Sequence, residues 1–284
     1  MMAFSWGVPF AQTAIPIKVE AATISVTGSR PSGATAGGDL SKDWTRVNFS
    51  QSFSRTPYVF TVPTIQGSNA GAHRVRNITT TGFYIRSVEP HTFDGSHAGM
   101  QVTYLAVEAC DGGQTQCEVN IPLSGGGSEK WMIGHADTSR WVGWGRDADD
   151  SANWQSISFS SPSPFTVAPA VLVQVQTIAN ETGLSKTLPQ SRPWLTSAVK
   201  SVASGSFSLS LERSEATDKD SVATVERIAW IAAPPGGRKY LLDANSQPVG
   251  YEIIRTNAVI KGWDDGKVYT SFSSPWSAAP QVIA

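Results

Sequence analysis

No run of about 20 apolar residues occurs in this 284-residue chain, so it contains no hydrophobic helical span of a bilayer. Charge is also scarce. Charged residues make up 16% of the chain, against an ordinary share of about 25%. The two signs nearly cancel, with 22 Lys plus Arg and 23 Asp plus Glu, a formal net charge of -1. That balance leaves no electrostatic footprint for DNA, RNA or an anionic membrane. Histidine is limited to His73, His91, His97 and His135, and no H-E-x-x-H, G-x-S-x-G or phosphate-cradling glycine motif occurs. The chain is therefore read as non-enzymatic, with no cofactor and no metal centre.

Cysteine is limited to Cys110 and Cys117, in CDGGQTQC. Asp111, Gly112 and Gly113 supply turn chemistry between them, and a local disulfide fits an oxidising compartment. The alternative is a pair of free thiols. Met1 to Ala14 is short, apolar and ends in small residues, like the core and cleavage site of a secretory leader. A basic stretch is missing ahead of it, which a start further upstream would explain. The alternative is an ordinary apolar N-terminal strand.

What is abundant is Ser, Thr, Gly and aromatic side chains, including 10 Trp, a composition suited to half-buried strands. The chain also repeats itself. WTRVNFSQSFSRTPYVFTV begins at Trp44, WQSISFSSPSPFTVAPAVLVQV at Trp154 and WDDGKVYTSFSSPWSAAPQVIA at Trp263. The leading tryptophans are 110 and 109 residues apart, and Pro57, Pro169 and Pro280 are 112 and 111 apart. Phe53, Phe165 and Trp276 each stand four residues before their proline. The back halves also match: Gly82-Phe83 loosely with Gly205 and Phe207, and Tyr104-Leu105-Ala106 with Trp230-Ile231-Ala232. A period of this kind indicates stacked supersecondary units.

Phe83, Ile85 and Ser87 alternate with Tyr84, Arg86 and Val88, and Phe207, Leu209 and Leu211 alternate with serines and Glu212. This period of two marks strands with one buried face. Short strands separated by Gly, Ser, Asp and Pro predict an all-β fold of tandem antiparallel β-sandwich repeats. The expected division is 1–17 as a leader or N-terminal segment, 18–112 as the first sandwich, 113–237 as the second and 238–284 as a partial third. On this reading the third unit is a truncated copy and the chain a piece of a longer array. Half a sandwich cannot cover its apolar face, so residues after about Gly237 are expected to pack poorly or lean on the second unit.

VNFSQSFSRTPYVF, RVRNITTTGFYI and VTYLAVE together resemble the H-type lectin family. The wider arrangement, including YEIIRTNAVIKGWDDG at 251–266, is similar to repeats in bacterial surface proteins of the MshQ type, associated with the mannose-sensitive haemagglutinin pilus. The lectin resemblance implies a six-stranded sandwich, often trimeric, that binds N-acetylgalactosamine or a related sugar. The pilus-type resemblance implies a secreted or cell-surface role among pilus components. Two functions follow: a carbohydrate-binding adhesion module, or a structural stalk with no ligand of its own.

Carrying the lectin site across places a basic donor at Arg74 or Arg76, before the Gly82-Phe83 strand. Its partners fall in the following loop, EPHTFDGSH, at His91, Phe93, Asp94 and His97. Phe93 stands where the family has a tryptophan. The chemistry suits a sugar, whose hydroxyls need paired donors and acceptors and whose apolar face needs an aromatic platform. The bland alternative puts both arginines on an exposed strand. Asp147, Asp149 and Asp150 read as a plain Asp/Gly turn more readily than as a calcium loop, as do Asp264 and Asp265. Arg213, Asp218, Lys219 and Asp220 read as a solvated turn. Trp131, Trp141 and Trp144 are expected to seal the junction of the first two units. Sequons stand at Asn48, Asn77 and Asn180. Peptide mapping without reductant is expected to show Cys110 linked to Cys117, stabilising the fold by at most about 2–3 kcal/mol. Free alkylation of both thiols would remove the argument for an oxidising compartment.

Overall fold

The computed structural model describes residues 15–26, 44–63, 71–90, 98–143, 146–160, 162–180, 190–191, 194–213, 222–242, 246–256, 269–277, 280 and 282. Among them there is no α-helix, only two short 3-10 turns.

After a two-residue strand β1 (Ile15–Pro16) come β2 (Val19–Val26), β3 (Thr45–Asn48), β4 (Pro57–Pro63), β5 (Ala72–Thr79), β6 (Gly82–Pro90) and β7 (Met100–Glu108). They form two antiparallel sheets, β2-β7-β4 and β3-β6-β5. Alternation turns Val47, Val59, Phe83, Ile85, Val102 and Tyr104 into the space between the sheets, where they are buried. Phe49 and Phe53 close this core edge to face, 4.8 Å between centroids. Gly82 is required by close approach. Its φ is +154°, and a Cβ there would lie 2.0 Å from the Val47 carbonyl oxygen.

β8 (Gln116–Pro122) then pairs with β9 (Ser128–Thr138), followed by β10 (Trp141–Val142), β11 (Gln155–Ser158), β12 (Ala170–Val175), β13 (Gln190–Ser191), β14 (Thr196–Lys200), β15 (Ser206–Glu212) and β16 (Glu226–Ala233). The pairing order of the first sandwich recurs. Sheet β9-β16-β12 lies against a sheet in which β15 is flanked by β11 and β14. Phe159, Phe165, Phe207 and Trp230 occupy the same places as Phe49, Phe53, Phe83 and Tyr104. The larger indole is accommodated by Gly134 directly opposite, where a Cβ would fall 2.6 Å from the Trp230 ring. Ala22 stands opposite Tyr104.

The second faces of β2-β7-β4 and β8-β9-β16-β12 are apolar in part, and these apolar patches pack on each other. Tyr58, Phe60, Val107, Ile133, Ala229 and Ile231 share one buried cluster with Cys110 and Cys117, which form the expected disulfide. A side-chain amide ties the layers at the edge of β4. Gln176 accepts from the Val59 amide at 2.9 Å and donates to the Val59 carbonyl at 2.7 Å. Buried carboxylates clip loops to strand ends. Glu108 accepts from the Ser54 and Arg55 amides and pairs with the Arg55 guanidinium. Glu226 accepts from the Asn180 amide and side chain, which leaves Asn180 buried and engaged, no glycan acceptor.

Two expectations are corrected. Ile15–Pro16 runs parallel to Val119–Asn120 and Ile17 is buried in the shared cluster, so residues 15–17, placed in the N-terminal segment by the sequence, pack with the sandwiches. Of the three clustered tryptophans, Trp131 seals the junction, but Trp141 lies on the far side of the second sandwich; Trp144 is outside the described residues. After the second sandwich, β17 (Gly236–Leu242) and β18 (Pro248–Ile253) form a hairpin that leans on it. Leu241 enters the shared cluster, Tyr251 donates to Glu129 at 3.0 Å, and Lys239 pairs with the same carboxylate. Phe53→Ala and Phe165→Ala are each expected to cost about 3–5 kcal/mol, because both rings are buried against aromatic neighbours. Denaturant titration checks this, and an unchanged midpoint for Phe165→Ala would show that the ring is not part of the core.

Candidate binding site

Because Phe83 and Ile85 point inward, Tyr84 and Arg86 point outward from the middle strand β6. β5 contributes Arg74 opposite Arg86 and Arg76 opposite Tyr84, and β3 contributes Arg46, also opposite Tyr84. Four guanidinium groups and Tyr84 thus share the outer face of β3-β6-β5. The Arg46 guanidinium lies 5.1 Å from the Tyr84 ring centre and donates to Asn48. The Arg76 guanidinium lies 4.1 Å from the centre of the buried Trp44 ring, within cation–π range. Desolvation lowers the Arg76 pKa from its ordinary value.

This is not an exposed strand. Arg74 is 3% and Arg86 2% exposed, and Arg74 donates to the His73 carbonyl at 3.1 Å. From the second sandwich, β13 runs parallel to the end of β6, Gln190 beside Glu89 and Ser191 beside Pro90. Of the residues expected in a sugar site, the structure thus puts Arg74 and Arg76 on one face. His91, Phe93, Asp94 and His97 lie outside the described residues. Arg86 and Tyr84 were missed, although the alternation along β6 already placed them outward.

The second sandwich separates framework from feature. Lys200 lies 4.4 Å from the centre of the Trp154 ring. Lys200 pairs with the residue after Phe207, as Arg76 pairs with the residue after Phe83. A cation stacked on the leading tryptophan is therefore common to both sandwiches, and Arg76 belongs to the framework. Arg74 and Arg86 are different. Their counterparts are Ala198 and Ser210, also directly paired, and the Ser210 hydroxyl donates to the Asn153 carbonyl. Only the first sandwich has the arginine pair.

The loop before Trp154 spends its carboxylates locally. Asp147 accepts from the Asp149 amide and Asp150 from the Ala152 amide, as in ordinary Asx turns. Arg213 is buried and, with Arg146, stacks on Trp141, so it is not part of a solvated turn. Asp218, Lys219, Asp220, Asp264 and Asp265 lie outside the described residues.

A second polar cluster sits between the sandwiches. The Tyr58 hydroxyl and His135 Nδ1 share a hydrogen bond of 2.7 Å. Arg227 forks onto both oxygens of Asp137, at 2.8 and 2.9 Å. Burial, and secondarily the Arg227 charge, hold the His135 pKa below its ordinary value. Burial pushes Tyr58 up to about 12. The hydrogen bond from Arg227 holds Asp137 below the usual carboxylate range.

The fold and the face together define a paired β-sandwich protein whose first sandwich bears four arginines and Tyr84 on one sheet face. Residues 44–107, which run from Trp44 through β3 to all but the last residue of β7, match the family model of the H-type lectin domain. No curated protein and no solved structure matches the chain.

The depressed His135 pKa carries a sign. The unfolded chain takes up the proton at about pH 6.5 and the folded chain only below that, so His135 contributes stability that is complete above pH 6.5 and lost as pH falls through the folded value. Thermal melts from pH 7.5 to 5 are expected to show a falling midpoint, and His135→Gln to flatten that fall. An equal slope in the variant would show that other groups govern it.

Proposed function

We propose that the chain is a non-catalytic carbohydrate-binding module built from tandem H-type lectin-like sandwiches, at 18–112 and 113–237 with a partial third at 238–284, working in adhesion outside the cell. The observation that carries this reading is a coincidence of two facts. The lectin-family match falls on the first sandwich, and that sandwich alone has Arg74 and Arg86 in register on its outer sheet.

The chemistry of that face suits a sugar. A guanidinium carries its donors in a fixed fork suited to neighbouring hydroxyls, and because Arg74 and Arg86 are buried a sugar meets this face at its rim, where Tyr84 and Arg46 are more accessible. Tyr84 supplies an apolar platform beside it. The loop that follows β6 supplies His91, Phe93, Asp94 and His97 to an N-acetylgalactosamine-type ligand. Such a site is weak by itself, because hydroxyls exchange water bonds for protein bonds at little net gain. With one arginine pair per chain, useful avidity comes from several chains side by side, as in a homotrimer or on a pilus, where linkage raises apparent affinity by about 10²–10⁴. The disulfide agrees with an extracellular or bacterial-surface setting.

A second reading rests on a different observation. The apolar cluster that joins the sandwiches runs from Ile17 to Ile253 of β18, which suits a stiff spacer in a pilus-associated stalk. The test is a glycan array with the whole chain, followed by Arg74→Lys and Arg86→Lys, which keep charge and bulk but lose the fork. Each is expected to weaken binding at least about tenfold, or 1.4 kcal/mol, measured at a temperature where a parallel melt shows the variant fully folded. Arg76→Ala is expected to lower stability instead, by loss of the Trp44 stack. Binding unaffected by Arg74→Lys would move the site elsewhere, and no glycan bound by the parent chain would leave the spacer reading standing.

A further inference from the structure

The hairpin and the segment after it reproduce, piece by piece, the opening half of a sandwich. In the first sandwich Glu20 on β2 accepts from the Ser50 amide at 2.9 Å and its hydroxyl at 2.7 Å. On β18, Glu252 accepts from the Ser273 amide at 2.7 Å and its hydroxyl at 3.1 Å. Ser50 and Ser273 each stand seven residues before the matched prolines Pro57 and Pro280. Phe272 and Trp276 cross edge to face, as Phe49 and Phe53 do. Arg238 fixes the segment, stacking on Trp276 and donating to the Ser274 and Pro275 carbonyls.

In both full sandwiches this opening half is covered by the closing strands. Tyr104 on β7 packs against Phe49 and donates to Glu20, and Trp230 on β16 packs against Phe159. Among the described residues, no ring is stacked on Phe272 as Tyr104 is on Phe49; Tyr240 comes near Trp276 only beside Gly250. The surroundings of the Phe272–Trp276 pair are correspondingly bare. Large exposed apolar side chains include Tyr240, Val249, Ile254, Tyr269, Phe272 and Val282 here, and only Val167 and Val225 elsewhere among the described residues. A cavity of ≈ 730 Å³ also opens between this segment and the two facing sheets, β2-β7-β4 and β9-β16-β12. Ala170 and Leu172 of β12 line it, and they hold the positions at which Tyr58 and Phe60 of β4 are buried against the second sandwich. The contact made from first sandwich to second is thus prepared again from second to third.

We infer that the described residues 236–242, 246–256 and 269–277 form an acceptor face for the closing strands of a third sandwich of the same type, and that these strands fill the cavity and complete a ring of three. The occupant is a strand layer equivalent to β4–β7, with a phenolic ring at the Tyr104 position to meet Glu252 and cover Phe272. This inference is independent of sugar binding. It is tested by joining a copy of residues 57–108 in place of Pro280–Ala284, so that the copied Pro57 takes the place of Pro280. Ile254 holds the place of Ala22, opposite the incoming phenol, so the same graft is also made with Ile254→Ala.

Hydrogen exchange is expected to slow at least about tenfold at 249–254 and 272–276 in one or both grafts relative to the unaltered chain, with loss of binding of a dye that reports exposed apolar surface. Adding Phe272→Ser to the protected graft is expected to reverse both changes. Unchanged exchange in both grafts, or protection that survives Phe272→Ser, would overturn the inference. Concentration-dependent self-association of the unaltered chain that protects the same residues would also overturn it, by showing that a second copy covers the face.

Discussion

The two sandwiches are built around a shared apolar interior that neither owns. In a single sandwich one face of each sheet is buried and the other meets water. Here β2-β7-β4 and β9-β16-β12 each carry an apolar patch on the second face as well, and that patch needs a neighbour outside its own sandwich. Tyr58 and Phe60 from one side and Ala229 and Ile231 from the other meet that need. Everything polar nearby is arranged around this closure. Gln176 satisfies the open edge of β4, and Tyr58, His135, Arg227 and Asp137 gather where the apolar contact gives out.

Most of this was legible in the sequence because it follows from periodicity. The matched tryptophans, aromatic residues and prolines located both sandwiches, and the alternation through Phe83 and Phe207 oriented their middle strands. The disulfide was legible from the short Asp-Gly-Gly turn between its cysteines. What periodicity could not show is which outward face becomes an inside. Ile17 and Trp141 were misplaced for that reason, since their surroundings come from strands far away in the chain. The arginine face was half read: Arg74 and Arg76 were picked out by resemblance, but their separate roles emerged only when Lys200 was found stacked on Trp154. The burial of Arg74 was not legible at all, because it depends on the surroundings of an outward sheet face.

Divergence between the sandwiches follows the same logic. Positions that hold the frame keep their physical character while changing residue: Tyr104 and Trp230, Ala22 and Gly134, Arg76 and Lys200. Each exchange is matched by its neighbour, as when the larger Trp230 faces the smaller Gly134. Positions free of the frame change character outright, as Arg74 and Arg86 do against Ala198 and Ser210.

The bridge between Cys110 and Cys117 stands where the chain leaves the first sandwich for the second. A pull applied to the two ends of the protein would pass through the sulfur atoms and bypass the turn at Asp111–Gly113. The six intervening residues, worth roughly 20 Å when drawn straight, are withheld from extension. Load therefore reaches β7 and β8 directly, and these strands are each hydrogen-bonded along their length to neighbours. The junction between the sandwiches is in this sense a coupling that passes strain on without lengthening through its own turn.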